Sequence, residues 1–263
     1  MLAGDVIESE QLQLTMTQML SLFLSQQFLL PLAGTQFGDG LQTAVQKIRA
    51  LLPTRSLAYF EHLDESFFIK NLANHDYSGQ DKEIRILNEA LINQNVAKVK
   101  YRSASRSKEV ISEFHPYGMM LLHASLYCIG YFACDDEVRT LKVARINGIT
   151  LLGKTFQKPT DFSLANHCQG AFGVFSAKNK QKIQVAFTGW AATNVREIQW
   201  HPSQKIRKDI KDKVVATFDL GNTVEFKRWL LGFGQNAKVQ NPKRFANEIR
   251  EELNAAMNIY DPV

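Results

Sequence analysis

The stretch Val96-Ala-Lys-Val-Lys-Tyr101 marks the point where the chain changes from helical to strand periodicity. After it, apolar and polar residues alternate over short runs that are separated by turn-forming residues, a pattern typical of strands. The runs cover residues 96–101, 110–115, 121–132 and 138–146, the second of them stopping before Pro116. Gly130 indicates a bulge or a close backbone approach inside the third run. We therefore predict four or five antiparallel strands that form a small barrel.

Residues before this stretch have the periodicity of helices. Thr15, followed three residues later by Gln18, forms a capping-box sequence at the start of a helix predicted over residues 14–30. Apolar residues recur at spacings of three and four over residues 39–52 and 80–93, which predicts two further helices. The first 95 residues are therefore predicted to form a small helical segment.

Residues 181–263 alternate between the two kinds of element. Strands are predicted over 182–188, 205–210, 214–220 and 237–240, with helices over 191–198 and 223–233. A final helix begins at Pro242. The order βαββαβ followed by a helix fits a split, ferredoxin-like α/β sandwich, so the predicted fold class of the whole chain is α+β. Residues 156–180 are predicted to be a connector.

Charge is unevenly distributed along the chain. Residues 1–95 carry 6 Lys and Arg against 11 Asp and Glu, whereas residues 96–263 carry 25 against 15. A basic region of this kind favours an anionic partner such as nucleic acid or a nucleotide. An ordinary solvated surface is the alternative.

Composition limits the class of protein. Apolar residues make up 45% of the chain and charged residues 22%, values typical of a soluble globular protein. The apolar stretch 19–34 is interrupted by Gln26, Gln27 and Pro31, so we predict no membrane span. The three cysteines, odd in number and without zinc-site spacing, predict reduced thiols in a cytoplasmic protein.

Motifs of catalysis are missing from the sequence. It contains no phosphate-binding glycine loop, no zinc-protease motif and no nucleophile elbow. The six histidines form no ligand pair at helical spacing; His115 and His123 either line a site in the barrel or are partly buried structural residues. We therefore expect no enzyme activity, no cofactor and no metal.

Several motifs occur together in one order. In the barrel region these are Val99-Lys-Tyr-Arg-Ser103, Phe114-His-Pro-Tyr-Gly118, Leu126-Tyr-Cys-Ile-Gly-Tyr131 and Val138-Arg-Thr-Leu-Lys-Val-Ala-Arg-Ile146. This region resembles the WYL domain, whose Trp-Tyr-Leu triplet is here Leu126-Tyr127-Cys128. The C-terminal region resembles the WCX extension that commonly follows it, through Trp200-His-Pro-Ser-Gln204, Arg228-Trp-Leu-Leu-Gly-Phe-Gly234 and Asn241-Pro242.

The resemblance implies an organisation and a function. It implies a helical linker and dimerisation segment over 1–95, an Sm/SH3-like WYL barrel over 96–155 and a WCX domain over 181–263. Members of this family are bacterial transcription regulators that act as dimers and carry an N-terminal winged helix-turn-helix, which we do not find here. We therefore expect a homodimeric, ligand-sensing effector region.

The barrel carries residues suited to an anionic ligand. Basic side chains bind phosphates and aromatic faces stack on bases, so we predict a site for single-stranded nucleic acid or a nucleotide. Arg139 and Arg145 lie an even number of residues apart, which on a regular strand places both on one side. The candidate site residues are Tyr101, Arg102, Ser103, Arg106, His115, Tyr127, Arg139 and Arg145.

Two alternatives stay open. The tyrosines could pack the barrel while the arginines pair with acids such as Asp135 or Glu137. The chain would then be a ligand-free dimerisation or protein-interaction module of a regulatory complex.

Overall fold

The computed structural model describes residues 15–52, 57, 75–103, 108–169, 171–174 and 180–260. The chain divides into two compact units, Met1–Phe156 and Gln157–Val263. Each unit is described by itself.

The first unit begins with helices. They are α1 (Met16–Leu29), α2 (Gln36–Ala50) and α3 (Asp81–Ile92). The predicted capping box at the start of α1 is confirmed, because Thr15 Oγ1 accepts a 3.2 Å hydrogen bond from the Gln18 N–H. Gln18 Oε1 in turn accepts a 2.8 Å bond from the Thr15 N–H. Both donors would otherwise be unsatisfied at the helix end.

The helices have different partners. Met19 and Phe23 of α1 pack with Val45 of α2 in a small apolar cluster of their own. Ile84 and Leu87 of α3 are fully buried in the core of the first sheet. Helix α3 is therefore part of the structure of that sheet rather than an independent element.

The first sheet is antiparallel, with the order β4-β3-β2-β1-β5. Its strands are β1 (Asn95–Arg102), β2 (Glu109–Leu122), β3 (Ser125–Phe132), β4 (Glu137–Lys142) and β5 (Ile146–Thr155). The strand pairings of the described residues leave this sheet open, so barrel closure is not confirmed. The sheet nevertheless curls, because the Tyr101 hydroxyl on β1 reaches the backbone of Lys142 at the end of β4.

Strand β2 differs from its prediction. It continues through Pro116, where a strand end was predicted, and the register with β3 shifts between Pro116 and Gly118. Proline has no N–H donor, and it is accommodated inside a sheet at such an irregularity. The close approach predicted at Gly130 is confirmed, since a Cβ at this position would collide with the carbonyl oxygen of His115.

The single strand predicted over 121–132 is also wrong. His123 and Ala124 separate β2 from β3 and have φ angles of 47° and 57°. Two successive positive φ angles form the tight hairpin turn that matches strand twist, but this turn is normally made by Asn or Gly. The residue types therefore gave no signal for it.

The second unit alternates strands and helices. After α4 (Leu164–Gln169) come β6 (Gln181–Thr188), α5 (Gly189–Glu197), β7 (Lys205–Ile210), β8 (Lys213–Leu220), α6 (Val224–Leu231), β9 (Ala237–Asn241) and α7 (Lys243–Tyr260). The four strands are antiparallel in the order β7-β8-β6-β9. This is the split, ferredoxin-like arrangement predicted from the order of elements, and with the first sheet it makes the fold α+β.

Aromatic side chains dominate the core of the second unit. Phe187, Phe218 and Phe226 are fully buried between the sheet and its helices. The ring of Trp229 lies 5.2 Å from that of Phe226 and 4.8 Å from that of Phe233. These aromatic residues therefore belong to the core of the second unit.

Candidate ligand-binding site at the end of the first sheet

The predicted site residues fall into two groups along the first sheet. Tyr101 pairs with Val110 at the start of β2, whereas Tyr127 pairs with Met120 toward the end of β2 and with Lys142 at the end of β4. The curl of the sheet brings these two positions together, because the Tyr101 hydroxyl reaches the Lys142 backbone. His115 pairs with Tyr131 and lies toward the opposite end of β3. The structure therefore does not bring all of the candidates together.

Tyr101 is a core residue. Its side chain is 8% exposed, and its ring meets that of Phe132 edge to face at 6.4 Å. Its hydroxyl accepts a 3.2 Å hydrogen bond from the Lys142 N–H. This ring cannot offer a stacking face to a ligand. Tyr101 therefore packs the core of the sheet, which is the alternative left open for the tyrosines.

Arg139 is held by two carboxylates. Its Nε lies 2.8 Å from Asp135 Oδ2, and its terminal nitrogen lies 2.6 Å from Glu137 Oε1. It pairs across the strands with Gly130. The alternative of pairing with nearby acids is therefore what the structure shows for Arg139.

The prediction that Arg139 and Arg145 share one side of one strand is wrong. Strand β4 ends at Lys142, and Val143–Arg145 form a 3₁₀ turn before β5. The turn buries Val143 completely in the core of the sheet, and that burial outweighs continued strand alternation. Arg145 is exposed on the turn.

The sheet end nevertheless gathers several cationic groups. Arg102 and Arg145 are exposed and Lys142 is half-buried, and none of the three forms an ion pair within the described part of the chain. The half-buried Tyr127 lies directly across from Lys142. We call Arg102, Tyr127, Lys142 and Arg145 the strand-end cluster. Lys142 was missed as a candidate because a regular strand would have turned it away from Arg145.

One acid near this cluster is already occupied. Glu109, across from Arg102, accepts a 2.6 Å hydrogen bond from Asn147 Nδ2 and lies 3.0 Å from Lys100 Nζ. These contacts, together with the positive charge of Arg102, hold the pKa of Glu109 below its ordinary value. Glu109 is therefore ionised but committed to its neighbours. Ser103 lies half-buried just after β1, and Arg106 lies outside the described residues.

His115 belongs to an aromatic group. Its ring stacks on Phe156 at 5.0 Å with an interplanar angle of 11° and lies 5.2 Å from Tyr131. Burial lowers the pKa of His115, whereas the nearby Glu113 opposes that shift. The neutral, stacked imidazole is a partly buried structural group rather than a residue that lines a site.

The thiol of Cys128 is fully buried in the first sheet. Burial raises the pKa of the Cys128 thiol far above its ordinary value, so it is not an activated nucleophile. No group of three His, Cys, Asp or Glu side chains in the described ranges could hold a metal ion. Among the same residues, no helix is long and apolar enough to cross a membrane.

Comparison with family models identifies the two sheets. Residues 82–151 match the WYL domain and residues 179–257 match the WCX domain. The chain carries a WYL domain followed by a WCX domain. The WYL match begins in α3, in keeping with the packing of that helix on the sheet, and contains the whole strand-end cluster.

Relatives are distant. The chain is 21% identical to a protein named uncharacterized HTH-type transcriptional regulator YobV, from Bacillus subtilis (strain 168), over 222 residues. That match covers 83% of this chain and 69% of the relative.

Two solved structures are also similar. One is proteasome accessory factor B/C (PafBC) of Arthrobacter aurescens, with a TM-score of 0.32 and 17% identity over 68% of this chain. The other is described as a CRISPR Cas-related protein, with a TM-score of 0.49 and 14% identity over 71% of this chain. The chain spans 27% of the first structure and 56% of the second.

Proposed function

We propose that this chain is the effector-sensing region of a cytoplasmic bacterial transcription regulator. In this proposal it has no catalytic activity, and its WYL domain binds an anionic ligand, either single-stranded nucleic acid or a nucleotide. The succession of a WYL and a WCX domain supports the regulatory part, together with the relative named as an HTH-type transcriptional regulator.

The strand-end cluster carries the ligand-binding part of the proposal. Three cations that form no ion pair in the described part of the chain lie where β1 and β4 end and β5 begins, and one of them, Lys142, lies directly across from the half-buried Tyr127. Cations that are not neutralised by neighbouring carboxylates keep their full attraction for phosphates. An adjacent aromatic ring can stack on a base, so the combination suits a nucleotide unit.

Fluorescence anisotropy with a labelled single-stranded oligonucleotide of about 12 nucleotides tests the proposal, at salt concentrations from about 50 to 300 mM. Arg145→Ala removes one phosphate contact, so affinity falls and the salt slope flattens by about 0.7 to 1. Tyr127→Ala removes a stacking contact, which costs roughly 1–3 kcal/mol with little change in slope.

Arg244→Ala is the matched control, because Arg244 is also an exposed arginine but lies on α7 and pairs with Glu248. Its affinity should equal that of the wild type. If Arg145→Ala binds as the wild type does, with an unchanged circular dichroism spectrum, the site is not at the strand-end cluster.

A second candidate function is self-association without a ligand, and helix α7 favours it. Phe245, Ala246 and Ile249 pack α7 onto the core of its unit. The apolar spacing then continues into side chains that are largely exposed: Leu253 is 45% and Met257 is 64% accessible. A stripe that continues beyond its own core can bury against a second copy of the chain.

Sedimentation equilibrium tests this homodimer. The wild type should have twice the mass of one chain, whereas Leu253→Glu with Met257→Glu should give a single chain. Asn254→Glu with Asn258→Glu adds the same charge to the same exposed half of α7 and should leave the dimer intact. A single-chain mass for the wild type at tens of micromolar would exclude this function.

A further inference from the structure

The sheet of the WCX domain has two different faces. One face carries Val185, Ala216 and Phe218, which are buried against the helices in the core of the unit. Because neighbouring residues of a strand point to opposite faces, Ala186 and Thr217 lie on the other face. We call this second side of the β7-β8-β6-β9 sheet the open face.

The open face is strongly basic. Register places Lys182 and Lys238 there from β6 and β9, since Lys238 pairs with Ala186, and Lys213 from β8. Lys205 and Lys208 pair with Thr217 and Val215 and extend the face across β7. Arg207 Nε lies 3.3 Å from Thr217 Oγ1, which holds the guanidinium over the same face. Asp219 is the acid that faces them, across from Lys182.

These six cations are available to a partner. All six are exposed, and none forms an ion pair with a described residue. Elsewhere in the same unit, Arg196, Lys227 and Arg244 are each paired with a carboxylate. Six positive charges against one acid on a single sheet face create a positive field that is not balanced within that face.

The shape of the open face suits an extended polyanion. Its central residues Ala186, Val215 and Thr217 have short side chains, and register places the longer basic side chains beside them. Neighbouring strands lie about 4.8 Å apart, and residues on one face of a strand about 7 Å apart. Cations distributed at these intervals over four strands can meet several phosphates at once.

We propose that the open face of the WCX domain binds the sugar-phosphate backbone of double-stranded DNA without reading its sequence. None of the described residues that register places on this face is aromatic, so it lacks the stacking platform with which proteins hold unpaired bases. A duplex keeps its bases stacked on each other and presents phosphates alone, which is the chemistry that cations bind. This binding is separate from the ligand proposed for the WYL domain and does not depend on it.

Fluorescence anisotropy with the full chain and a labelled duplex of about 20 base pairs tests the inference. Lys205→Gln, Lys208→Gln and Lys238→Gln are combined in one variant. Each lost phosphate contact flattens the plot of log affinity against log salt by about 0.9. The triple variant should therefore lose about 2 to 3 units of slope and bind at least about tenfold more weakly at low salt.

The matched control removes three exposed cations from the helical side of the same unit. It combines Arg228→Gln, Lys243→Gln and Arg250→Gln, which lie on α6 and α7. It should bind the duplex as the wild type does, and so should the charge-retaining Lys205→Arg, Lys208→Arg and Lys238→Arg variant. Circular dichroism spectra of all variants should coincide, since every substituted side chain is exposed.

Three results would overturn the inference. The first is equal loss of affinity in the helical-side control, which would mean that net charge alone attracts the duplex. The second is tighter binding of a single strand of the same length, with the same sensitivity to the open-face variant. The third is equally tight binding of labelled poly-glutamate, which would assign the open face to an acidic protein.

Discussion

The hydroxyl of Tyr101 accepts a 3.2 Å hydrogen bond from the backbone N–H of Lys142, although β1 and β4 are three places apart in the order of the first sheet. The contact draws the end of β4 over the core. It also brings Lys142, with Tyr127 directly across from it, to the end of β1.

Replacement of Tyr101 by Phe tests this contact. The ring stays in the core, but the Lys142 N–H loses its acceptor, so we expect the free energy of unfolding to fall by about 1 kcal/mol. Urea denaturation measures the change. Tyr260→Phe is the control, because Tyr260 is 87% exposed and should leave the midpoint unchanged. Equal midpoints for all three proteins would show that the hydrogen bond contributes nothing.

A second tyrosine ties the segment before α3 to the hairpin. Tyr77 is fully buried, and its hydroxyl accepts a 2.7 Å hydrogen bond from the Leu126 N–H. Tyr77→Phe leaves that buried donor unsatisfied, so we expect a loss of about 1–3 kcal/mol in unfolding free energy. The loss should exceed that of Tyr101→Phe, whose partner is only partly buried. The reverse ranking in urea denaturation would contradict this reading.

Two glycines should respond to alanine in opposite directions. In Gly130→Ala the new methyl group collides with the His115 backbone, so β2 and β3 must separate and the protein should lose at least about 2 kcal/mol. Gly40 lies inside α2 with open space around its Cα, so Gly40→Ala should stabilise the protein by about 0.5–1 kcal/mol. Thermal unfolding distinguishes the two, and a harmless Gly130→Ala would mean that the strands do not approach as described.

Stability should depend on pH through His115. Burial lowers its pKa in the folded protein below the ordinary value of 6.5, so the unfolded chain binds the proton more readily. The contribution of His115 is therefore complete above the unfolded pKa and is lost as the pH falls below it towards the folded pKa. The charge of Glu113 raises the pKa of His115 and the charge of Lys154 lowers it. Both residues remain in the His115→Phe variant that serves as the comparison.

Unfolding free energies of the wild type and His115→Phe, measured between about pH 7.5 and 5, give the test of this linkage. The wild type should lose more stability than the variant as the pH falls, because phenylalanine keeps the stacking on Phe156 but cannot be protonated. If the unfolding free energies of the two proteins change in parallel with pH, His115 has the same pKa in the folded and the unfolded chain.

Local sequence patterns predicted the elements that depend on their own residues. Thr15 and Gln18 satisfy each other's backbone donors within four residues, so the start of α1 is readable from the sequence. Gly130 predicted the close backbone approach, because a residue with a Cβ at this position would collide with the neighbouring strand. The motifs of the WYL and WCX domains were likewise recognisable from residue types and their order.

The candidate site was predicted less well, and for a physical reason. Alternation cannot distinguish a strand from a 3₁₀ turn when both bury Val143, so the separation of Arg139 from Arg145 was not visible. Arg139 closely follows Asp135 and Glu137 in sequence, but only the folded turn brings both carboxylates to its guanidinium.

The sequence by itself determined the succession of helical, WYL and WCX regions, since hydrophobic period, caps and motif order act over a few residues. Only the tertiary structure decided which cations are neutralised. Arg139 and Lys100 lie beside carboxylates, whereas Arg145 and the six basic residues of the open face form no ion pair within the described ranges. Ion pairing depends on the distance between charged groups, and the turn before β4 and the register of β1 with β2 set that distance for Arg139 and Lys100.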